Sequence, residues 1–168
     1  MTSLVFLAVA VPLLAFAAAR DIATRLIPDG VSIAIVVAGV GTRAVEGWAE
    51  AGESLLVGAG LFVFLLLLAM RGVVGGGDVK LIAATATGLP PVETWNFIVA
   101  TVLAGGVLAI GYLAARRLIP QPRLDPGAPF LRRVLAVEAR RIRRRGPLPY
   151  AVAIAAGGFL LLLSMPRA

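Results

Sequence analysis

Charge is confined to short intervals of this chain. No charged residue precedes Arg20, and further uncharged stretches run from Gly30 to Thr42, Ser54 to Met70, Leu81 to Val92, Thr94 to Ala115 and Pro147 to Pro166. Repeated apolar runs approaching 20 residues match the thickness of a bilayer core rather than the cores of a soluble fold. Sixty per cent of the residues are hydrophobic and the mean hydropathy is +0.95, against roughly 45–50% apolar residues in soluble domains. No polar region is long enough to bury a core of its own. The sequence therefore predicts an all-α, polytopic membrane protein.

Six spans are expected. Span one runs from Leu4 to Ala19, with Pro12 as a kink. No Lys or Arg precedes Arg20, so it lacks the basic start of a signal peptide and reads as a retained span. Span two covers about Val31 to Val45, with Asp29 as its expected N-cap. Gly41 to Ser54 reads as a short loop carrying Arg43, Glu46, Glu50 and Glu53, with Trp48 as an interface anchor. Span three is Leu55 to Met70. Span four is Val79 to Leu89, stopped by Pro90-Pro91. Span five is Trp95 to Ala115 and span six Leu148 to Met165. Gly58, Gly60, Gly105-Gly106 and Gly157-Gly158 suggest close helix packing. Span four is the anomaly: its 11 residues give roughly 16 Å of helix against a core of about 30 Å. The preceding Gly75-Gly76-Gly77-Asp78 is thus expected inside the membrane envelope, where irregular backbone needs protein or water around it.

Basic residues set the orientation. The intervals after spans one, three and five hold 14 of the 16 Lys and Arg residues, all but Arg43 and Arg167. Those intervals are expected in the cytoplasm and both termini outside it. Asp21, Asp29 and Asp78 then share the cytoplasmic side.

The available chemistry is narrow. Cysteine and histidine are both absent. Disulfides, a thiolate nucleophile and an imidazole base are excluded, and the commonest metal ligands are missing. Carboxylates, hydroxyls, Lys and Tyr remain. Glu46, Glu50, Glu53 and Glu93 fall in short outer loops and read as solvated charge. Asp125 and Glu138 lie among arginines, where ion pairing is the default. Asp21, Asp29 and Asp78 sit at cytoplasmic helix ends, either as caps and interface charges or as chemical groups. Two carboxylates facing one water can hydrolyse a peptide, the ionised one acting as base and the protonated one as acid. A free Asp titrates near roughly 3.9, and close approach in a poorly hydrated site makes a pair share one proton. From the residues alone, caps and catalysis both remain open.

Three motifs carry a resemblance. Asp21-Ile22-Ala23-Thr24-Arg25-Leu26-Ile27-Pro28-Asp29, Gly75-Gly76-Gly77-Asp78-Val79-Lys80 and Pro147-Leu148-Pro149-Tyr150-Ala151 resemble, in order, the signatures of the type IV prepilin peptidases. The resemblance implies one membrane-embedded peptidase domain over 1–168. It implies an aspartic endopeptidase of the inner membrane that cuts the leader from pilin-like precursors at the cytoplasmic face, typically after a Gly. Asp21 and Asp78 match the catalytic pair. Gly75 and Gly77 would shape the turn beside the scissile peptide. Pro28, Asp29 and Lys80 fall in the motifs, Asp29 read as a cap. Lys80, two residues along a helix from Asp78, is expected to point away from it, about 200° around. No cofactor or metal is implied. The chain lacks the cysteine motif of longer members and has no room for their N-methylating region. It is similar to minimal members serving Flp-type (tight-adherence) pili or archaeal preflagellins. A presenilin-like protease shares Gly-x-Gly-Asp, but its Tyr-Asp partner motif is missing. The alternative from another class is a small ion-coupled transporter or pilus-assembly scaffold with intramembrane aspartates.

Arg116 to Gly146 is the basic cytoplasmic loop, with ten arginines against Asp125 and Glu138, a net of +8 where the whole chain is +7. Pro120, Pro122, Pro126 and Pro129 keep its first half extended. From Phe130 to Arg145, Leu131, Val134, Leu135 and Ile142 share one helical side. This reads as an interfacial helix on anionic lipid of the inner leaflet, or as a plain positive-inside signal. No aromatic platform supports nucleic-acid binding. The sequence does not specify an oligomeric state.

Overall fold

The computed structural model describes residues 2–118, 129–143 and 146–165. Among them the fold is all-α, with seven helices: α1 (Thr2–Thr24), α2 (Asp29–Glu46), α3 (Trp48–Met70), α4 (Gly76–Ala86), α5 (Pro91–Leu118), α6 (Phe130–Arg143) and α7 (Tyr150–Ser164). Helices α1, α3 and α5 are long and apolar enough to cross a membrane, and α7 is a shorter apolar helix.

The short helix α4 is the centre of the bundle. Val79 and every residue from Leu81 to Ala86 are buried. A helix wrapped on all sides must be apolar or small around its circumference, and from Leu81 to Ala86 this one is. α2, α3, α5 and α7 all contact α4. Its buried hydroxyls are satisfied internally, Thr85 Oγ1 donating to Leu81 O at 2.8 Å and Thr87 Oγ1 to Ala84 O at 2.7 Å. Lipid tails offer no hydrophobic drive for helix association, so close packing must hold the bundle. Gly58 lies against Thr87, Gly105 against Tyr150, Gly157 against Thr101 and Gly158 against Leu14. Gly60 and Gly106, expected in the same role, face open space. The outer faces carry large exposed apolar side chains, and only Ala51, Ser54 and Gly58 of α3 are buried.

Several sequence boundaries move. The polar residues after Ala19 continue α1 through Thr24, so Asp21 stands on its last turn. The expected loop from Gly41 to Ser54 shrinks to Gly47 between two helices. The reason is Arg43, only 4% exposed, whose Nε donates to Ser54 Oγ at 2.9 Å and whose guanidinium also pairs with Glu46. Ser54 Oγ donates in turn to Leu89 O at 3.0 Å, anchoring the turn that follows α4. Glu46 accepts from Arg43 and Thr2, and Glu93 has one buried carboxylate oxygen, so neither is simple solvated charge.

The glycine tetrad is not a loop throughout. Gly75 is the N-cap of α4, while Gly76 and Gly77 are its first residues and Asp78 its third. The irregular backbone is Arg71 to Gly75. There Gly72 adopts φ 74°, with Gly72 N bonded to Ala69 O at 2.9 Å and Val73 N to Leu68 O at 3.1 Å. That pair of bonds is a Schellman end to α3, and its left-handed residue favours glycine. The basic segment contains helix α6, with Glu138 buried and Leu131 and Leu135 exposed. Pro120, Pro122, Asp125 and Pro126 lie outside the described residues.

Candidate active site

The three motifs meet where α1 ends and α4 and α7 begin. Asp21 is 7% exposed and Asp78 half-buried, and they are close enough to act on each other electrostatically. Asp21 also accepts a hydrogen bond from the backbone N–H of Ala151. That amide is in the first turn of α7, where N–H groups have no intrahelical acceptor and the helix dipole favours a negative partner. The neighbouring Tyr150 lies within electrostatic reach of Asp78. Asp78, in the first turn of α4, gains the same kind of helix-end field.

Glycines fix this geometry by what they leave out. A Cβ at Gly75 would fall 2.7 Å from Asp78 Oδ2, so the carboxylate folds back over its own N-cap. A Cβ at Gly77 would fall 3.0 Å from Ile27 Cδ1, so the first and second motifs touch here.

The remaining predicted residues separate from the aspartates. Pro28 is the extended N-cap residue of α2, at φ −65° and ψ 131°. Asp29 is not the expected cap: it is the first residue of α2, makes no capping bond and takes Lys80 Nζ at 2.7 Å. Lys80 does turn away from Asp78, and with Asp29 it borders an apolar cavity of about 590 Å³ between α2, α3 and α4.

Asp78 borders a different cavity, of about 860 Å³. Its walls are Phe64 and Leu65 of α3, Ile98 and Val102 of α5, the strip from Gly72 to Gly75, and Tyr150. The walls are largely apolar, with a carboxylate at one end. Among the described residues no cluster of three or more carboxylates gathers as a metal site.

The sequence reading did not assign roles to Arg25, Tyr112 or Arg141 around this centre, nor to the Ala151 amide. Arg25 belongs to the first motif and lies within reach of both aspartates. The signal for Glu138, read there only as a default ion pair, was its isolation as an acid in an arginine-rich helix.

In this helical, membrane-type bundle Asp21 comes within electrostatic reach of Asp78, and Asp78 lines a largely apolar cavity. The family comparison makes this specific: residues 8–110, more than half of the chain, match the model of the type IV leader peptidase family, and the chain belongs to that family. Membership implies a protease acting on leader peptides. No curated protein and no solved structure matches it. The Pro147 to Ala151 motif lies beyond the matched residues, yet it closes on both aspartates.

Proposed function

We propose that this chain is an aspartic endopeptidase that removes leaders from type IV pilin-like precursors, Flp-type precursors among them, at the cytoplasmic face of the inner membrane. The domain is 1–168, with α1 to α5 and α7 as six spans and 116–146 as a basic cytoplasmic loop. The observation that carries the reading is the packing of the first motif on the second, Ile27 against Gly77, which brings Asp21 within electrostatic reach of Asp78 where Asp78 lines a cavity of about 860 Å³.

The apolar segment of the precursor lies between α3 and α5, and its leader reaches the strip from Gly72 to Gly75. One aspartate, ionised, takes a proton from water as the water oxygen bonds to the scissile carbonyl carbon. The other, protonated, donates to the carbonyl oxygen. Collapse of the tetrahedral intermediate breaks the C–N bond, and a proton passes to the leaving amine. The Ala151 N–H holds Asp21 during this exchange. Gly75 lets the Asp78 carboxylate approach closely, and Gly77 does the same for Ile27. The Asp29–Lys80 pair braces α2 against α4 on the opposite side. The basic bias after spans one, three and five supports the orientation, and anionic lipid is the partner of the exposed arginines of α6.

The test is cleavage of a synthetic pilin-like precursor by purified protein, beside Asp21→Asn and Asp78→Asn. Both variants should insert and fold yet lose at least a thousandfold in rate. Wild-type cleavage by either would overturn the two-aspartate mechanism. Failure of the wild type to cut any pilin-like precursor would favour the transporter or scaffold alternative. Orientation is read by single cysteines: Leu26→Cys should label from the cytoplasmic side and Val45→Cys from outside.

A further inference from the structure

Glu138 is the one acid of α6 and it is 8% exposed. A buried carboxylate is costly unless donors surround it. Three side chains supply them. Arg25 Nη2 reaches Glu138 Oε1 at 2.5 Å, Tyr112 OH reaches the same oxygen at 2.6 Å, and Arg141 Nη1 reaches Oε2 at 3.2 Å. Glu138 thus joins the end of α1, the cytoplasmic half of α5 and α6 itself.

Both arginines pass this grip to the end of α1. Arg141 Nη1 donates to Ile22 O at 2.8 Å, satisfying a carbonyl in the last turn beside Asp21. Arg25 N donates to Asp21 O at 2.9 Å, and Arg25 stands at φ 58°, a left-handed backbone that a bulky residue holds only when its surroundings enforce it. Arg25 Nε and Nη1 are buried and make no hydrogen bond among the described residues. The guanidinium is therefore oriented by Glu138 together with Tyr112, which itself donates to Glu138. That guanidinium is within electrostatic reach of both Asp21 and Asp78.

We propose that Glu138 is a positioning residue for the aspartate pair, acting through Arg25 and Arg141 on the last turn of α1. α6 is then a working part of the peptidase, although it lies outside the residues that match the family. The proposal rests on the reading of Asp21 and Asp78 as the catalytic pair. Glu138 touches neither aspartate by a hydrogen bond; it fixes the strained turn that carries Asp21 and the cation that faces both.

The experiment uses the full-length protein in detergent and a synthetic pilin-like precursor with a basic leader. Charge-assisted hydrogen bonds of this kind correspond to factors of about 10 to 100. E138A should lower kcat by about that factor while KM changes less than about threefold, because the pair is displaced and the cavity between α3 and α5 is untouched. E138Q keeps an oxygen acceptor for Arg25 and should recover at least about threefold over E138A. R25M should match E138A, and R25M/E138A should fall no more than about threefold below the worse single variant, since both remove one linkage. An unchanged kcat in E138A, a loss confined to KM, or full additivity with R25M would overturn the proposal. Should E138A fail to elute as a folded species, E138Q decides: a kcat about three- to tenfold below wild type supports the role and wild-type kcat refutes it. D21N and D78N run alongside. If they are inactive and the Glu138 variants unimpaired, only the positioning role fails; if they cleave at the wild-type rate, the catalytic reading fails first.

Discussion

Ile27 and Gly77 join the first two motifs by direct contact. A Cβ on Gly77 would lie 3.0 Å from Ile27 Cδ1 and 3.3 Å from Ile27 Cβ. Gly76, one residue earlier, has nothing within 4 Å of the same added atom. The glycine needed on steric grounds is therefore Gly77, on the face of α4 turned towards the segment that follows Asp21. Overpacking of this kind costs about 1–3 kcal/mol when neighbours must shift. We expect Gly77→Val to cut precursor cleavage at least about tenfold and Gly77→Ala to be intermediate, while Gly76→Ala stays near wild type. Steady-state cleavage by matched amounts of folded protein checks the order. Equal effects at the two positions would show that the contact does not set the site.

Tyr150 is placed by a second glycine. A Cβ at Gly105 would lie 2.8 Å from Tyr150 Cε2 and 3.0 Å from its hydroxyl oxygen. The ring therefore lies flush on α5 while its polar end stays near Asp78. Gly105→Val should push the ring towards the cavity and lower cleavage about tenfold or more, whereas Tyr150→Phe, which keeps the ring, should lose less. The check is the ratio of the two rates. A Tyr150→Phe loss exceeding that of Gly105→Val would mean that the hydroxyl, not the ring position, is what matters.

These contacts explain which features were legible in the sequence. Charge spacing revealed the apolar helices because a hydrocarbon solvent leaves little freedom in composition. Asp21, Asp29 and Asp78 stood out because few acids occur in such a chain, and the motif resemblance then singled out Asp21 and Asp78. Helix ends were less legible. Arg20 to Thr24 look like a loop by polarity, yet they complete α1 because α6 and α7 cover that end with Arg141 and the Ala151 amide. Gly41 to Ser54 look like a loop until buried Arg43 is paired with Ser54 across Gly47. The Asp29 cap failed for the same kind of reason: Lys80, 51 positions away in sequence, supplies a charged partner that local propensity cannot anticipate. Long-range pairings among polar residues were the part that the linear pattern did not encode.

The Asp29–Lys80 pair tests how much such a bridge contributes. Its side chains are 68% and 47% exposed, so solvent screens the attraction. An exposed pair of this kind contributes about 0.2–1 kcal/mol. Asp29→Asn and Lys80→Met should each lower stability by no more than about 1 kcal/mol, and the double variant should show a coupling within the same range. Thermal unfolding in detergent, with a double-mutant cycle, measures this. A coupling of several kcal/mol would mean that lipid or protein shields the pair far more than its exposure indicates.

Two cavities that border α4 give the last prediction. One, of about 860 Å³, has Asp78 at its end and Ile98 in its α5 wall; the other, of about 590 Å³, lies behind α4 and includes Ile33 of α2. Only the first is lined by Asp78, so only the first should carry the precursor. The chain has no native cysteine, which lets one thiol be introduced at a time. A bulky maleimide on Ile98→Cys should block cleavage by at least about tenfold, whereas the same label on Ile33→Cys, exposed on the other side, should leave it within about twofold. Labelling stoichiometry by mass and cleavage before and after modification provide the readout. Inhibition from Ile33→Cys with none from Ile98→Cys would move the precursor to the opposite face of α4 and require Asp78 to be reached from between α2 and α3.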